Sequence, residues 1–188
     1  YILSALDSNN CMDSLQINIV EPDSLLLAIS DYTQALDCYG DSTAFLQLNV
    51  QGGTPTYELE LFNDNQILLL SQSDSLFQNL IADDYIAVVT DLNGCVDSLF
   101  VSIFENNELT IDDDVQLHQD IICFGLNEGQ VGLNINGGVQ PYSVTDLSTT
   151  LTDSPFLFDD LSPDSITFYV SDSLGCTAEL SSFIFDAD

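Results

Sequence analysis

The stretch YIAVVTDLNGCVDSLFVSIF, residues 85–104, decides the fold class. Residues 85–90 and 96–104 are strand-like runs, and between them Asn93-Gly94 is a strong signal for a tight hairpin turn. The same period of two recurs on both sides along the chain. Leu46, Leu48 and Val50 alternate with Gln47 and Asn49, Val131, Leu133 and Ile135 form a second such run, and Tyr57, Leu59 and Leu61 alternate with Glu58 and Glu60. Gly-Gly pairs, Asn63-Asp64-Asn65 and Ser162-Pro163-Asp164 punctuate the runs, and no segment sustains a helical period. Seven or so short strands in about 85 residues predict an all-β chain of tandem immunoglobulin-like β-sandwich repeats. Asp84-Tyr85, opening the strand before the hairpin, suits a tyrosine corner, while the second copy has Ile166 there.

The hairpin is one part of a larger internal repeat. Cys38-Tyr39-Gly40 returns as Cys123-Phe124-Gly125, a shift of 85. Gly52-Gly53, Pro55 and Tyr57 return as Gly137-Gly138, Pro141 and Tyr142. Asp91-Leu92-Asn93-Gly94-Cys95 returns as Asp172-Ser173-Leu174-Gly175-Cys176, and an earlier copy of the same ending runs from Tyr1 through Asp7 to Cys11. The expected organisation is therefore the closing part of a preceding repeat over 1–23, then whole repeats over 24–107 and 108–188. Tyr1 opens directly into an alternating apolar segment, as expected inside a longer polypeptide.

Each whole repeat owns an early and a late cysteine, which predicts Cys38 bonded to Cys95, Cys123 bonded to Cys176, and Cys11 bonded to a cysteine outside the chain. The alternative is a set of buried free thiols. Without CxxC spacing and with one His, the five cysteines do not read as a zinc or redox centre. Their pairing points to an oxidising, extracellular compartment. Closing the loop from Cys38 to Cys95 would stabilise a repeat by roughly 4 kcal/mol on the chain-entropy view.

Composition narrows the function. The 188 residues hold 31 Asp plus Glu, one His and no Lys or Arg, a formal charge of −31. With no side-chain cation to neutralise phosphate, nucleic acid and anionic lipid are excluded as partners. Schiff-base, P-loop, arginine-finger and lysine cross-link chemistry are excluded with them. At 45% hydrophobic residues the chain is nonetheless too apolar for a disordered acidic tail, and no stretch reads as a signal peptide or a membrane span.

Three candidate chemistries remain. Asp112-Asp113-Asp114, with Glu105 and Glu108 before it, is a candidate Ca²⁺ site at a module junction, against the alternative of a solvated charge run. His118 reads as a solvent-facing residue without a paired nucleophile. Glu58 and Glu60 read as the polar face of a strand, so no catalytic set is expected. The third signal is Asp-Ser, which occurs nine times where composition predicts about 2.6. Seven of these continue into Leu, Ile or Thr, at Ser14, Ser24, Ser42, Ser75, Ser98, Ser165 and Ser173. The alternative is that Asp-Ser serves turns and strand ends, where both side chains bond local backbone.

Two resemblances follow from these residues. The order Cys-aromatic-Gly, apolar strand, Gly-Gly with Pro and Tyr, then Asp-x-x-Gly-Cys resembles the SprB-type repeats of gliding-motility and surface adhesins of Bacteroidota. The likeness implies a secreted cell-surface spacer, a stalk or filament whose partners are neighbouring repeats or fibre subunits, and glycans. Asp-Ser followed by an aliphatic residue or Thr is similar to the O-glycosylation sequon of the same bacteria, which implies covalent O-glycans on the seven serines. The other reading of the chain is a glycan- or ligand-binding accessory module of a secreted enzyme, though it lacks the Trp platforms such sites favour.

Overall fold

A computed structural model describes residues 1–63 and 68–187. Asp64 and Asn65 of the expected Asn63-Asp64-Asn65 turn lie outside the described residues. Every described element is a β-strand. A first hairpin pairs β1 (Ile2–Leu6) with β2 (Met12–Gln16), antiparallel with Leu6 opposite Met12. The next copy comprises β3 (Leu26–Tyr32), β4 (Ala35–Leu36), β5 (Ala44–Gln51), β6 (Tyr57–Asn63), β7 (Leu68–Gln72), β8 (Leu76–Leu80), β9 (Asp83–Asp91) and β10 (Val96–Glu105). The last copy comprises β11 (Thr110–Asp113), β12 (Gly129–Asn136), β13 (Ser143–Thr145), β14 (Thr150–Leu151), β15 (Phe156–Leu161), β16 (Ser165–Ser171) and β17 (Thr177–Phe183).

The strand order shows the duplication directly. One copy has sheets β3-β5-β8 and β4-β10-β9-β6-β7, and the other has β11-β12-β15 and β14-β13-β16-β17. Apart from the short β4, which lies parallel to β10, the two orders are the same, and they are those of an immunoglobulin-like sandwich. The chain forms two compact units, one of residues 1–30, 48–75 and 86–100, the other of 31–47, 76–85 and 101–188. Strands β3, β5, β9 and β10 each contribute residues to both.

The period of two becomes burial. In the second unit, Ile111, Val131, Leu133, Phe156 and Phe158 of one sheet share a core with Val144, Phe168 and Val170 of the other. The Phe158 and Phe168 rings meet with centroids 4.8 Å apart in a tilted pair. Each such side chain, fully buried, contributes about 1.5–3 kcal/mol, and with no Lys or Arg this apolar term carries most of the stability. In the preceding copy the buried sets are Ala44, Leu46 and Leu48 on β5, Leu59 and Leu61 on β6, and Tyr85, Ala87 and Val89 on β9. Tyr85 is 1% exposed and its hydroxyl donates to the Ile81 carbonyl oxygen at 2.9 Å, so the tyrosine corner is formed. Burial, with Asp83 nearby, pushes its phenol pKa up against the opposing hydrogen bond.

The Gly-Gly turn has a steric cause. Gly52 and Gly137 both sit at φ +69°, and a Cβ there would lie 2.1 Å from the Ser24 carbonyl oxygen and 1.8 Å from that of Glu108. The turn lies directly against the segment entering each copy. Gly53 N–H donates to the Asp23 carbonyl at 2.8 Å, and Gly138 N–H to that of Asn107 at 3.0 Å. Tyr57 and Tyr142 complete the turn, each hydroxyl donating at 2.6 Å to the carbonyl of Gly52 or Gly137.

Candidate functional site

The residues singled out by the repeat meet at two loops, the Asp-to-Cys hairpin and the Cys-aromatic-Gly turn. The hairpin is organised by its first residue in all three copies. Asp7 Oδ1 accepts from the N–H groups of Asn9 and Cys11, Asp91 Oδ1 from those of Asn93 and Cys95, and Asp172 Oδ1 from those of Leu174 and Cys176, all at 2.8–2.9 Å. Gly94 and Gly175 take the left-handed position before the cysteine, and Asn10 at φ 65° takes it in the first hairpin. Asn tolerates that region better than most side chains. The second carboxylate oxygen reaches the Gly-Gly turn: Asp91 Oδ2 accepts from Thr54 N–H at 2.8 Å and Asp172 Oδ2 from Val139 N–H at 2.9 Å. One carboxylate thus ties the hairpin to the turn that lies on the entering segment.

Both carboxylates are held below the usual range. For Asp91 the largest cause is the backbone hydrogen bond from Cys95, against a desolvation cost. For Asp172 desolvation is the largest influence and pushes upward, but the N–H groups of Val139, Cys176, Leu174 and Gly175 together outweigh it. A depressed carboxyl stabilises the fold fully above its unfolded pKa of about 3.9 and loses that contribution as pH falls through the lower folded value. Asp172→Asn is therefore expected to lower stability at neutral pH and to flatten the acid side of the stability curve below about pH 4. Urea titrations at pH 3 and pH 7 check this, and an unchanged acid slope would contradict it.

The cysteines correct the expected pairing. Cys38 is bonded to Cys176, with an S–S distance of 2.06 Å and Cα atoms 5.5 Å apart, not to Cys95, and Cys123 is not bonded to Cys176. Cys11, Cys95 and Cys123 are free and exposed. The physical reason lies in where the early loop sits. Gly40 N–H donates to Glu105 Oε2 at 2.7 Å, and Asn106 Nδ2 donates to the Asp37 carbonyl at 2.9 Å. These bonds fasten the Cys38 loop to the segment leading into the next copy. There Cys38 packs against the core that contains Leu109 and Cys176. The disulfide therefore joins the early cysteine of one copy to the late cysteine of the following one.

The remaining candidates fall at separate places. Six of the seven serines, Ser14, Ser24, Ser42, Ser98, Ser165 and Ser173, are exposed, and Ser75 is half-buried. In Asp13-Ser14, Asp97-Ser98 and Asp164-Ser165 the aspartate accepts the serine N–H at 2.7–2.9 Å, the local bonding expected of the dipeptide. Asp112, Asp113 and Asp114 do not converge: among the described residues no group of three or more His, Cys, Asp or Glu could hold a metal ion. Asp112 and Asp113 are consecutive in β11, where side chains alternate between faces, and Asp114 folds into a turn with Gln116 N–H on its Oδ1. His118 also departs from expectation. It is half-buried, with Nδ1 2.7 Å from Asp113 Oδ2 and Nε2 3.6 Å from Asp120 Oδ1. Ser182 Oγ donates to that same Asp113 oxygen at 2.7 Å. The carboxylate thus stands between Ser and His, whereas nucleophilic activation needs the imidazole between them. Glu58 is exposed and Glu60 half-buried on β6.

Sequence reasoning missed two groups. The role of Asp7, Asp91 and Asp172 was readable from an Asp four residues before the late Cys in every copy. The Glu105 and Asn106 clamp was not readable in this way, because Glu105 recurs as Glu21 but Asn106 falls on Pro22 in that copy.

The span from His118 to Ser143 holds the Cys123-Phe124-Gly125 turn, β12, the Gly137-Gly138 pair and Tyr142 on its glycine carbonyl. Residues 118–143 match the SprB repeat. The chain thus carries SprB-type repeat sequence, in agreement with the resemblance read from its motifs. Among curated proteins nothing matches. Solved structures similar to the chain include the I67–I69 I-band fragment of titin, 12% identical, covering 89% of this chain and 66% of that one at a TM-score of 0.49. A C-terminal fragment of intimin, in complex with the intimin-binding domain of its receptor Tir, is 15% identical over 84% of this chain and 64% of its own, TM-score 0.44. The fibronectin(III)-like modules of Clostridium thermocellum CbhA are 11% identical over 85% and 94%, TM-score 0.34. The fold assignment rests on the strand order and register of this chain. No helix among the described residues is long and apolar enough to cross a membrane.

Proposed function

We propose that this chain is a segment of an extracellular structural protein, a cell-surface stalk or filament in which SprB-type sandwiches over 24–107 and 108–188 follow one another and carry O-glycans on Asp-Ser sites. The observation that carries the reading is the Cys38–Cys176 bond, which links successive copies covalently across 138 residues. A spacer needs such linkage and needs no catalytic cation, and a chain with 31 Asp plus Glu and no Lys or Arg offers trypsin-like proteases no cleavage site. Exposure of six of the seven serines supports modification of the folded chain, with the Ser173 hydroxyl also donating to the Val139 carbonyl oxygen at 2.9 Å. Load would pass from sandwich to sandwich, and the segment would contact its own kind and glycans, with no nucleic acid and no insertion into membrane.

Intact mass of the native protein, before and after deglycosylation and reduction, tests this together with electron microscopy of the native material. The expected result is a mass in excess of the polypeptide that chemical deglycosylation removes, and elongated particles on the cell surface. An unmodified mass overturns the glycan assignment, and a compact particle inside the cell overturns the stalk.

A further inference from the structure

The groove between the tip of the β13–β14 hairpin and the turn from β15 into β16 carries side chains that the sandwich does not need. Its volume is about 500 Å³, within the range of roughly 300–1,000 Å³ typical of small-molecule sites. Tyr169 stands in it, 38% exposed, between the buried Phe168 and Val170 of β16. The fold requires no aromatic there. In the register that places Asp172 on Asp91, the same strand position of the preceding copy is Val88. Polar atoms near the ring are unspent: the Asp160 carboxylate and the hydroxyls of Ser162 and Tyr169 make no hydrogen bond among the described residues. Leu147, also lining the groove, is 80% exposed at φ 76°, and Asp160 sits at φ 54°. A left-handed Leu is strained, and such strain persists only where the surroundings over-determine it. Here they do. Leu147 N–H donates to Thr145 Oγ1 at 3.0 Å, that hydroxyl donates to the Thr149 carbonyl at 2.9 Å, and Asp146 Oδ1 accepts the N–H groups of Ser148 and Thr149. These bonds hold an exposed aliphatic side chain at the lip of the groove.

We propose that this groove binds a short neutral saccharide, with the Tyr169 ring and Leu147 on the apolar face of a sugar and Asp160 and Ser162 on its hydroxyls. A sugar joins an apolar ring face to a rim of groups that both donate and accept. An aromatic flanked by a carboxylate acceptor and free hydroxyls is complementary to both parts. Charge selects the neutral kind: with a formal charge of −31 and no Lys or Arg, the chain repels uronic and sulfated sugars and has nothing to pair with them. Ser165, one of the serines assigned an O-glycan, lines the same groove, so the sugar has two sources, the chain's own glycan or a saccharide from outside. The inference rests on the glycan contact in the function proposed above and is independent of the stalk.

The test is an NMR titration of the ¹⁵N-labelled 188-residue chain, made in a host that adds no glycan, with cellotriose, maltotriose and mannotriose. Trigalacturonate and trilysine are the charged counterparts. The expected result is saturable amide shifts with at least one neutral trisaccharide, centred on residues 146–148 and 160–169, and none with trigalacturonate. Tyr169→Val, which installs the residue the preceding copy already carries, should weaken binding about tenfold without lowering the melting temperature. Leu147→Gly should weaken it too, while the melting temperature holds or rises because Gly suits a φ of 76°. Titration of the natively modified chain assigns the source. Binding that appears only after Ser165→Ala makes the chain's own glycan the occupant, and binding without that change makes it an outside saccharide. Shifts that map elsewhere would overturn the groove and leave the glycan contact standing, whereas no binding of any neutral trisaccharide would overturn both. Trilysine in place of sugar in the groove, or a Tyr169→Val protein that binds as before, would also overturn the proposal.

Discussion

Cys38→Ser and Cys176→Ser are each expected to lower the melting temperature by roughly 10–20 °C, and by the same amount, while Cys11→Ser, Cys95→Ser and Cys123→Ser leave it unchanged. The size follows from the loop that the bond closes. A cross-link over 138 residues restricts the unfolded chain by about 5 kcal/mol on the chain-entropy view, and a protein of this length shifts by about 2–4 °C per kcal/mol. The pattern across the five variants matters more than the size. Bonds within each copy would make Cys95→Ser as damaging as Cys38→Ser and would pair Cys123→Ser with Cys176→Ser. Differential scanning calorimetry of the five variants without reductant separates the two arrangements. The wild-type protein in reductant should melt with the Cys38→Ser protein.

Gly137→Ala and Gly52→Ala are expected to be nearly as harmful, costing roughly 3–5 kcal/mol each. Two causes add at these positions. A left-handed φ of +69° costs an L-residue about 1–2 kcal/mol, and the new methyl would lie within 2.1 Å of a backbone carbonyl that no side-chain rotation can clear. Gly94→Ala isolates the first cause, because its φ is +81° and nothing lies within 4 Å of a Cβ there. Urea midpoints should rank Gly137→Ala and Gly52→Ala well below Gly94→Ala, with unchanged denaturant slopes. If all three cost the same, the close approach of the entering segment to the Gly-Gly turn is not a determinant of stability.

The sandwich was legible in the sequence because its determinants are local. A period of two, Asn93-Gly94 and paired glycines fix strands and turns within a few residues of themselves, and Asp84-Tyr85 marked the corner that Tyr85 makes with Ile81. Disulfide connectivity was not legible for a different reason. A repeat shows that Cys38 and Cys123 are equivalent, and Cys95 and Cys176 likewise, but equivalence is preserved equally by bonding within copies and by bonding between them. The choice is made by Glu105 and Asn106, which draw the Cys38 loop toward the following copy, and the pair carries no repeated signature, since Glu105 recurs as Glu21 but Asn106 falls on Pro22 there. The carboxylates of the acidic run are not gathered at one place either. Its spacing in sequence is dense, but a strand turns successive side chains to opposite faces, and Asp113 is committed to His118 and Ser182.

The staggered bond also sets how far the chain can lengthen under load. When the two ends are pulled, force reaching Cys38 passes through sulfur to Cys176, and the residues between them stay slack even if both sandwiches open. Fully extended, those 138 residues would span about 480 Å, none of which is released until the bond is reduced. Because the bond straddles the boundary between copies, no single sandwich opens end to end on its own. Extensibility then becomes a property of redox conditions, not of the strength of any one sandwich.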